Sequence, residues 1–129
     1  MDLKSRVFII DDDPIHQRIA QIMISKNKLF DEFHSYTEAQ KALDFLKENK
    51  ENEESLPNVI LLDLNMPVMD GWDFLEEFEK FNQNLKKDIR VFIVSSSVDE
   101  KDMLRSKLYP GVKGFISKPL SSEIIGSTR

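Results

Sequence analysis

The sequence contains no cysteine and few glycines. Without cysteine, the chain cannot form a disulfide, use a thiol in catalysis or bind a metal through thiolates. The positions of its 4 glycines match neither a G-x-G-x-x-G segment nor a Walker A loop; these glycines are Gly71, Gly111, Gly114 and Gly126. These absences exclude a phosphate site built on a glycine-rich loop, but they leave other kinds of phosphate chemistry open.

The chain carries more acidic than basic residues, and it has no long apolar run. The 23 acidic residues outnumber the 18 lysines and arginines, and the net charge of −5 argues against a non-specific nucleic-acid binder. No apolar run approaches the roughly 18 residues of a membrane span, and the first residues lack a signal-peptide pattern. The 2 histidines are too few for a histidine-rich metal site. We therefore expect one cytoplasmic domain over residues 1–129, with no nucleic-acid or membrane partner.

The apolar pattern predicts a parallel sheet. Short apolar runs occur at 7–10, 59–62, 91–94 and 115–116, and a weaker strand fits 31–36. The first three are continuous rather than alternating, which is typical of strands buried on both faces. In the segments that connect the strands, apolar residues recur with the period of a helix. The sequence therefore predicts β and α elements that alternate five times. This order predicts a parallel sheet with helices on both faces.

The first two predicted helices carry recognisable start signals. Asp13 and Pro14 suit the beginning of the first helix. Thr37 and Gln40 predict a capping box for the second. The spacing of the first helix predicts a core-facing stripe made of Ile15, Ile19, Ile22 and Met23.

The later helices are predicted in the same way. The third has an apolar stripe made of Phe74, Leu75, Phe78 and Phe81. Asp99 is expected to start a fourth helix carrying Met103, Leu104 and Leu108. Ser121 or Ser122 could cap a short fifth helix. The polar segment 47–58 predicts an extended loop.

Polar groups follow the apolar runs at the points where the strands end. Acidic residues occupy 11–13, Asp63 follows the third strand, serines occupy 95–97, and Lys118 follows the fifth strand. Ligands of open parallel sheets bind beyond the carboxyl ends of the strands. We therefore expect these groups to converge at one edge of the sheet.

Such a cluster needs a compensating cation. Two unit charges 4 Å apart repel by about 1 kcal/mol in water and about 4 kcal/mol at an effective dielectric constant of 20. Oxygen ligands without histidine or cysteine favour Mg²⁺, and Lys118 adds a second positive charge. This combination suits phosphoryl transfer to a carboxylate.

Each group also has a simpler interpretation by itself. Asp63 could be a turn residue, Asp13 only an N-cap, and 95–97 only a loop. His16 and His34 are interpreted as surface or partly buried residues rather than ligands. The simpler interpretation leaves unexplained why each group stands at a strand end in this order.

Four segments carry a resemblance to a known family. They are Ile-Asp-Asp-Asp-Pro at 10–14, Leu-Asp-Leu-Asn-Met-Pro-Val-Met-Asp-Gly at 62–71, Val-Ser-Ser at 94–96 and Lys-Pro at 118–119. With them, the chain resembles the receiver domain of two-component response regulators over about residues 4–125. The resemblance implies a doubly wound, flavodoxin-like sheet of five parallel strands in the order 2-1-3-4-5, with five helices.

The resemblance assigns a phosphoacceptor and a metal site. Asp63 would accept the phosphoryl group. Asp12 and Asp63 would bind Mg²⁺ (or Mn²⁺) directly, Asp11 would reach it through water, and Asn65 would offer its backbone carbonyl. Asn65 and Ser97 would influence the rate at which the acyl phosphate hydrolyses.

The resemblance also assigns the residues that respond to phosphorylation. Ser95 would form a hydrogen bond to the phosphoryl group, and Lys118 would pair with its oxygens. The bond to Pro119 would be cis, as is common in the family. Phe115 would occupy the aromatic switch position, where it lacks the hydroxyl of the more frequent tyrosine. Two further departures are the long 47–58 segment and the short last helix. The short helix bears on the usual output face, which is built from the fourth helix, the fifth strand and the fifth helix.

The implied function is that of a phosphoprotein in a phosphorelay. A sensor histidine kinase or a histidine phosphotransfer domain would phosphorylate the chain, and an unknown output protein would bind the phosphorylated form. Because no effector domain follows residue 129, we expect a stand-alone regulator. It would not be an enzyme beyond self-phosphorylation and slow autodephosphorylation.

Two alternatives remain open at this point. A haloacid-dehalogenase-type phosphatase also uses an aspartate after a strand, but it needs a second acid two residues later, where this chain has Asn65. A scaffold of the same fold could bind a partner without being phosphorylated.

Overall fold

The computed structural model describes residues 4–96 and 99–129, in which strands and helices alternate as predicted. The elements are β1 (Arg6–Ile10), α1 (Pro14–Asn27), β2 (Glu32–Tyr36), α2 (Ala39–Glu48), β3 (Val59–Asp63), α3 (Gly71–Phe81), a 3₁₀ turn (Asn82–Asn84), β4 (Arg90–Ser95), α4 (Glu100–Ser106), β5 (Val112–Ser117) and α5 (Ser122–Ser127). The 5 strands form one parallel sheet in the order β2-β1-β3-β4-β5. The predicted fold is therefore confirmed. In the described ranges, no helix has the length and apolar character needed to cross a bilayer.

The two faces of the sheet bury separate apolar clusters. On the α2–α3 face, the strand residues Phe8, Ile10, Ile60, Leu62, Val91 and Ile93 pack with the buried side chains of α2 and α3. On the α1–α5 face, the neighbouring residues Val7, Ile9, Val59, Leu61, Val94 and Ile116 pack with α1 and α5. Successive strand residues point to opposite faces. The continuous apolar runs are thus explained by burial on both sides.

The start of α3 lies very close to the end of β3. Asp70 and Asp73 form a capping box, in which the Asp70 side chain accepts a hydrogen bond from the Asp73 backbone N–H at 2.9 Å. The Gly71 N–H donates to the Leu64 carbonyl at 3.0 Å. A Cβ at Gly71 would lie 2.8 Å from both the Asp63 carbonyl oxygen and Leu64 Cα. Glycine therefore permits the close approach that fixes the loop after Asp63.

The predicted core-facing stripe of α1 is wrong for three of its four residues, since only Met23 among them packs against a core cluster. Ile15, Ile19 and Ile22 are 67%, 42% and 52% exposed. The residues buried from this helix are Gln17, Ala20 and Ile24. Both sets of residues have helical spacing, but the buried set includes a glutamine, so the apolar pattern predicted the exposed set as the core-facing one.

The other helix starts agree with the sequence, with one correction. Asp13, Asp99 and Ser121 cap α1, α4 and α5 as predicted. The capping box predicted for α2 is wrong because the cap is Glu38, one residue after Thr37. The Glu38 carboxylate pairs with Lys41 Nζ at 3.0 Å. The last helix, Ser122–Ser127, is as short as expected.

Candidate functional site

The loop between β1 and α1 is fixed by a buried glutamine of α1. Gln17 Nε2 donates to the backbone carbonyls of Ile9, Asp11 and Tyr36 at 2.8, 3.0 and 3.1 Å. The Asp11 N–H also donates to the Tyr36 carbonyl at 3.0 Å, and Asp11 Oδ1 accepts from the Asp13 N–H at 2.9 Å. These bonds hold the acidic residues at the end of β1. Gln17 was not recognisable from the sequence as a site residue, because its role depends on which residues of α1 face the sheet.

The predicted carboxylates converge. Asp11, Asp12 and Asp63 each place a carboxylate oxygen within 4.8 Å of the others. Asp11 and Asp63 are only 6% exposed, whereas Asp12 lies open to solvent. An all-oxygen donor set with one open side suits a hard divalent ion that keeps several waters. The residues present therefore fit a metal of the magnesium type.

Lys118 brings a positive charge to the same cluster. Its Nζ lies 3.3 Å from Asp11 Oδ2 and 3.7 Å from Asp63 Oδ2, and its side chain is 13% exposed. The Lys118 N–H donates to the Ser95 carbonyl at 2.8 Å, which ties the β5 end to the β4 end. The peptide bond to Pro119 is cis, as the resemblance implied. The lysine thus enters the site from the strand end predicted for it.

The surroundings of Asp63 disfavour its charged form. Burial is the largest influence and raises the pKa of the Asp63 carboxyl above its usual value. The Asn65 N–H, 3.2 Å from Asp63 Oδ1, opposes this effect, the Asp11 charge adds to it, and Lys118 opposes it again. A cation bound among these carboxylates would favour the ionised, nucleophilic form.

The remaining predicted residues surround the cluster. Ser95 is buried at the end of β4 and pairs in register with Ser117 of β5. Phe115 is half-buried and packs against the cluster of the α2–α3 face. Asn65 is exposed, with its backbone beside Asp63. Ser97 lies outside the described residues.

His16, predicted to be a surface or partly buried residue, is partly buried and lies at the site. Its Nδ1 lies 2.9 Å from Lys118 Nζ and 3.5 Å from both Asp11 Oδ2 and Asp13 Oδ2. The signal was the start of α1 directly after the acidic run, which puts the first helical turn over the strand end. His34, by contrast, lies exposed on the edge strand β2, edge-on to Phe8.

An apolar surface adjoins the charged cluster. Ile19, Pro119 and Leu120, with His16 and Lys118, line a pocket of about 140 Å³. The exposed Ile15 and Ile22 extend this surface along α1. We call the exposed side chains of Ile15, Ile19 and Ile22 the outer stripe of α1.

Comparison with known proteins gives a consistent family. The model of the response regulator receiver domain matches residues 7–127. The chain is 32% identical over 127 residues to the two-component response regulator ORR1 of rice, Oryza sativa subsp. japonica. That match covers 97% of this chain but 54% of the rice protein, so the chain spans about half the length of this relative.

Solved structures show the same likeness. A two-component response regulator from Cytophaga hutchinsonii has a TM-score of 0.86 and 28% identity, covering 98% of this chain and 95% of that one. The Mn²⁺-bound form of response regulator Rcp1, a Synechocystis protein, has a TM-score of 0.74 and 27% identity, covering 95% and 87%.

The chain belongs to the family of response regulator receiver domains of two-component systems. Receiver domains take phosphoryl groups from histidine kinases, bind a divalent metal ion and are in general not enzymes. Neither a phosphatase nor an unphosphorylated scaffold is supported by these matches.

Proposed function

We propose that Asp63 of this receiver domain, taken as a single cytoplasmic domain over residues 1–129, accepts a phosphoryl group in a Mg²⁺-dependent phosphorelay. The donor would be the phosphohistidine of a sensor kinase or of a histidine phosphotransfer domain. The observation that carries the proposal is the placement of Lys118 Nζ 3.7 Å from Asp63 Oδ2, beside the carboxylates of Asp11 and Asp12. A carboxylate nucleophile, a metal-binding set and a fixed cation are the parts that phosphoryl transfer requires.

The transfer step is a substitution at phosphorus. A carboxylate oxygen of Asp63 attacks, and the bond between phosphorus and the donor's imidazole nitrogen breaks. The imidazole leaves with the bonding electron pair, and Asp63 becomes an acyl phosphate. Lys118 stabilises the charge on the phosphoryl oxygens during transfer because its ammonium already lies at this edge of the sheet.

The metal would be held by residues that converge here. Asp12 and Asp63 would bind it directly, Asn65 through its backbone carbonyl, and Asp11 through water. When bound, Mg²⁺ or Mn²⁺ supplies charge neutralisation to the transferring oxygens. The all-oxygen cluster supports this assignment, and so does the Mn²⁺-bound form of Rcp1.

The response would pass through β4 and β5. In the proposal, Ser95 forms a hydrogen bond to the phosphoryl group, and Phe115 turns inward as the loop after β4 shifts. Their positions at the end of β4 and in the half-buried part of β5 support this role. An output protein that binds the shifted state more tightly would then be recruited by phosphorylation.

The outer stripe of α1 provides a surface for the donor. Its isoleucines lie beside the pocket formed with Lys118 and Pro119, next to the phosphoacceptor. A helical partner could pack on these apolar side chains and present its phosphohistidine to Asp63. Binding of a donor would explain why these apolar side chains are exposed in the isolated chain.

Incubation with acetyl phosphate and Mg²⁺, followed by intact-mass measurement, tests the proposal. Wild type should gain one phosphoryl group, and Asp63→Asn should gain none. Asp88→Asn removes an exposed acid from a distant loop and should behave as wild type, so it controls for the loss of one negative charge. Absence of an adduct in wild type, or an adduct that persists in Asp63→Asn, would refute the proposal. Repeated turnover of phosphate esters would instead indicate a phosphatase.

A further inference from the structure

We propose that His16 is a positioning residue that holds the ammonium of Lys118 at the correct distance from Asp63. The inference rests on the proposed function and adds a residue to it. The Nδ1–Nζ distance of 2.9 Å is shorter than the distances from Nζ to Asp11 Oδ2, 3.3 Å, and to Asp63 Oδ2, 3.7 Å. The shortest of these three contacts of the ammonium is therefore the one with α1.

The direction of this hydrogen bond follows from the groups involved. An ammonium can only donate, so His16 Nδ1 must accept and the ring hydrogen must be on Nε2. Nδ1 also lies 3.5 Å from carboxylate oxygens of Asp11 and Asp13. Because Nδ1 carries no hydrogen, it cannot donate to those carboxylate oxygens. Its hydrogen-bond partner is therefore the ammonium of Lys118. The ring orientation is thus set by Lys118.

The backbone of His16 is fixed by the first turn of α1. His16 is in the first turn of α1, where Asp13 accepts from the Ile15 N–H at 2.8 Å. The next residue, Gln17, binds three backbone carbonyls around the end of β1. Lys118 reaches the site on a flexible four-carbon chain. A fixed acceptor on α1 therefore restricts where the ammonium can lie.

The position in which His16 holds the Lys118 ammonium suits phosphoryl transfer to Asp63. At 3.7 Å, Nζ is too far from Asp63 Oδ2 for a good hydrogen bond, yet close enough to act on a group bound there. Without His16, the ammonium could leave its position 3.3 Å from Asp11 Oδ2 and move into direct contact with Asp63. An ammonium bonded to Asp63 would reduce the nucleophilicity of the attacking oxygen and occupy the space of a phosphoryl oxygen. His16 keeps that space open.

Three substitutions of His16 separate this role from a simple packing role. The side-chain oxygen of asparagine is as many bonds from Cα as Nδ1 is, whereas the oxygen of glutamine corresponds to Nε2. His16→Leu and His16→Gln should slow adduct formation from acetyl phosphate, at saturating Mg²⁺, by about tenfold, the effect of losing one hydrogen bond to a charged group. His16→Asn should remain within about twofold of wild type. Equal rates in wild type and His16→Leu, or no rescue by asparagine, would overturn the inference.

A double-mutant cycle with Lys118→Ala provides the second test. If His16 acts through the lysine, His16→Leu should slow the reaction by less than about twofold in the Lys118→Ala background. Full additivity of the two effects would refute a positioning role. The two proposals fail separately: wild type without an adduct refutes the phosphoacceptor, whereas an adduct whose rate ignores His16 refutes only this inference.

Discussion

The two faces of the sheet are covered by helices in different ways. On the α2–α3 face, the apolar stripe of α3 is buried, including Phe74 and Phe78, which have no exposed surface. On the α1–α5 face, α1 buries Gln17, Ala20 and Ile24 and leaves Ile15, Ile19 and Ile22 exposed. The difference indicates that the α2–α3 face serves mainly stability, whereas α1 divides its surface between packing, site geometry and contact with a partner.

The position of α1 explains why it bears several tasks. Its first turn follows the acidic loop, so it carries the cap Asp13 and also His16 at the charged cluster. Its second turn begins with Gln17, which holds that loop. A helix whose inner side must bond to loop carbonyls has fewer positions for large apolar residues.

The largest expected effect is on the α2–α3 face. Phe78→Ala should lower the free energy of unfolding by about 3–5 kcal/mol, because it empties a buried space between the rings of Phe74 and Phe81. Urea denaturation followed by circular dichroism measures this loss. If Phe78→Ala lowered the free energy of unfolding by less than about 1 kcal/mol, the α2–α3 face would not be the main source of stability.

The next effect tests the inner side of α1. Gln17→Leu keeps the size of the side chain but removes the Nε2 donor from three carbonyls, of which that of Tyr36 still accepts from the Asp11 N–H. We therefore expect a loss of about 2–3 kcal/mol. Phosphorylation should also slow, because the loop that carries Asp11 loses its support. Gln21→Leu on the same helix is the matched control, since its amide bonds to the side chain of the exposed Ser35 and not, within the described part of the chain, to a loop carbonyl. Equal stability of the two variants would show that Gln17 does not fix the loop.

The two faces also differ in how well they could be predicted from the sequence. The apolar runs placed the strands, and the topology of a parallel sheet then brought Asp11, Asp63 and Lys118 together. The orientation of α1 was not predictable from spacing, because two stripes on one helix satisfy the same period. His16 and Gln17 were missed for this reason: their contacts depend on which stripe faces the sheet.

A smaller effect on the free energy of unfolding, of opposite sign, is expected at Asp63, at the carboxyl end of β3. Burial raises the pKa of Asp63, so the native state binds a proton more tightly than the unfolded chain does. This contribution to stability is present at low pH and is lost as pH rises through the raised pKa. In metal-free protein at neutral pH, Asp63→Asn should therefore stabilise by about 1 kcal/mol, the usual scale of single stabilising substitutions.

The melting temperature at several pH values checks this prediction. The advantage of Asp63→Asn over wild type should shrink as pH falls, because the wild-type carboxyl becomes protonated. Added Mg²⁺ should raise the melting temperature of wild type more than that of the variant, since binding to the native state stabilises it. A variant that is less stable than wild type at neutral pH would contradict the expected sign.

The smallest effect on stability should come from the outer stripe of α1. Ile19→Ser changes an exposed side chain, so the free energy of unfolding should stay within about 0.5 kcal/mol of wild type. The rate with acetyl phosphate should also be unchanged, because the small donor does not contact this surface. Transfer from a phosphorylated histidine phosphotransfer domain that phosphorylates wild type should fall by about tenfold, since about 1.4 kcal/mol of apolar contact would be lost.

Leu108→Ser is the matched control for this last prediction, because Leu108 is also apolar and exposed but lies after α4, away from the cluster. It should leave both rates unchanged. If Ile19→Ser slows the small donor and the protein donor equally, the outer stripe acts on the site itself rather than on a partner. If it slows neither, exposed isoleucines on α1 have no role in donor binding, and the division of α1 between packing and recognition fails.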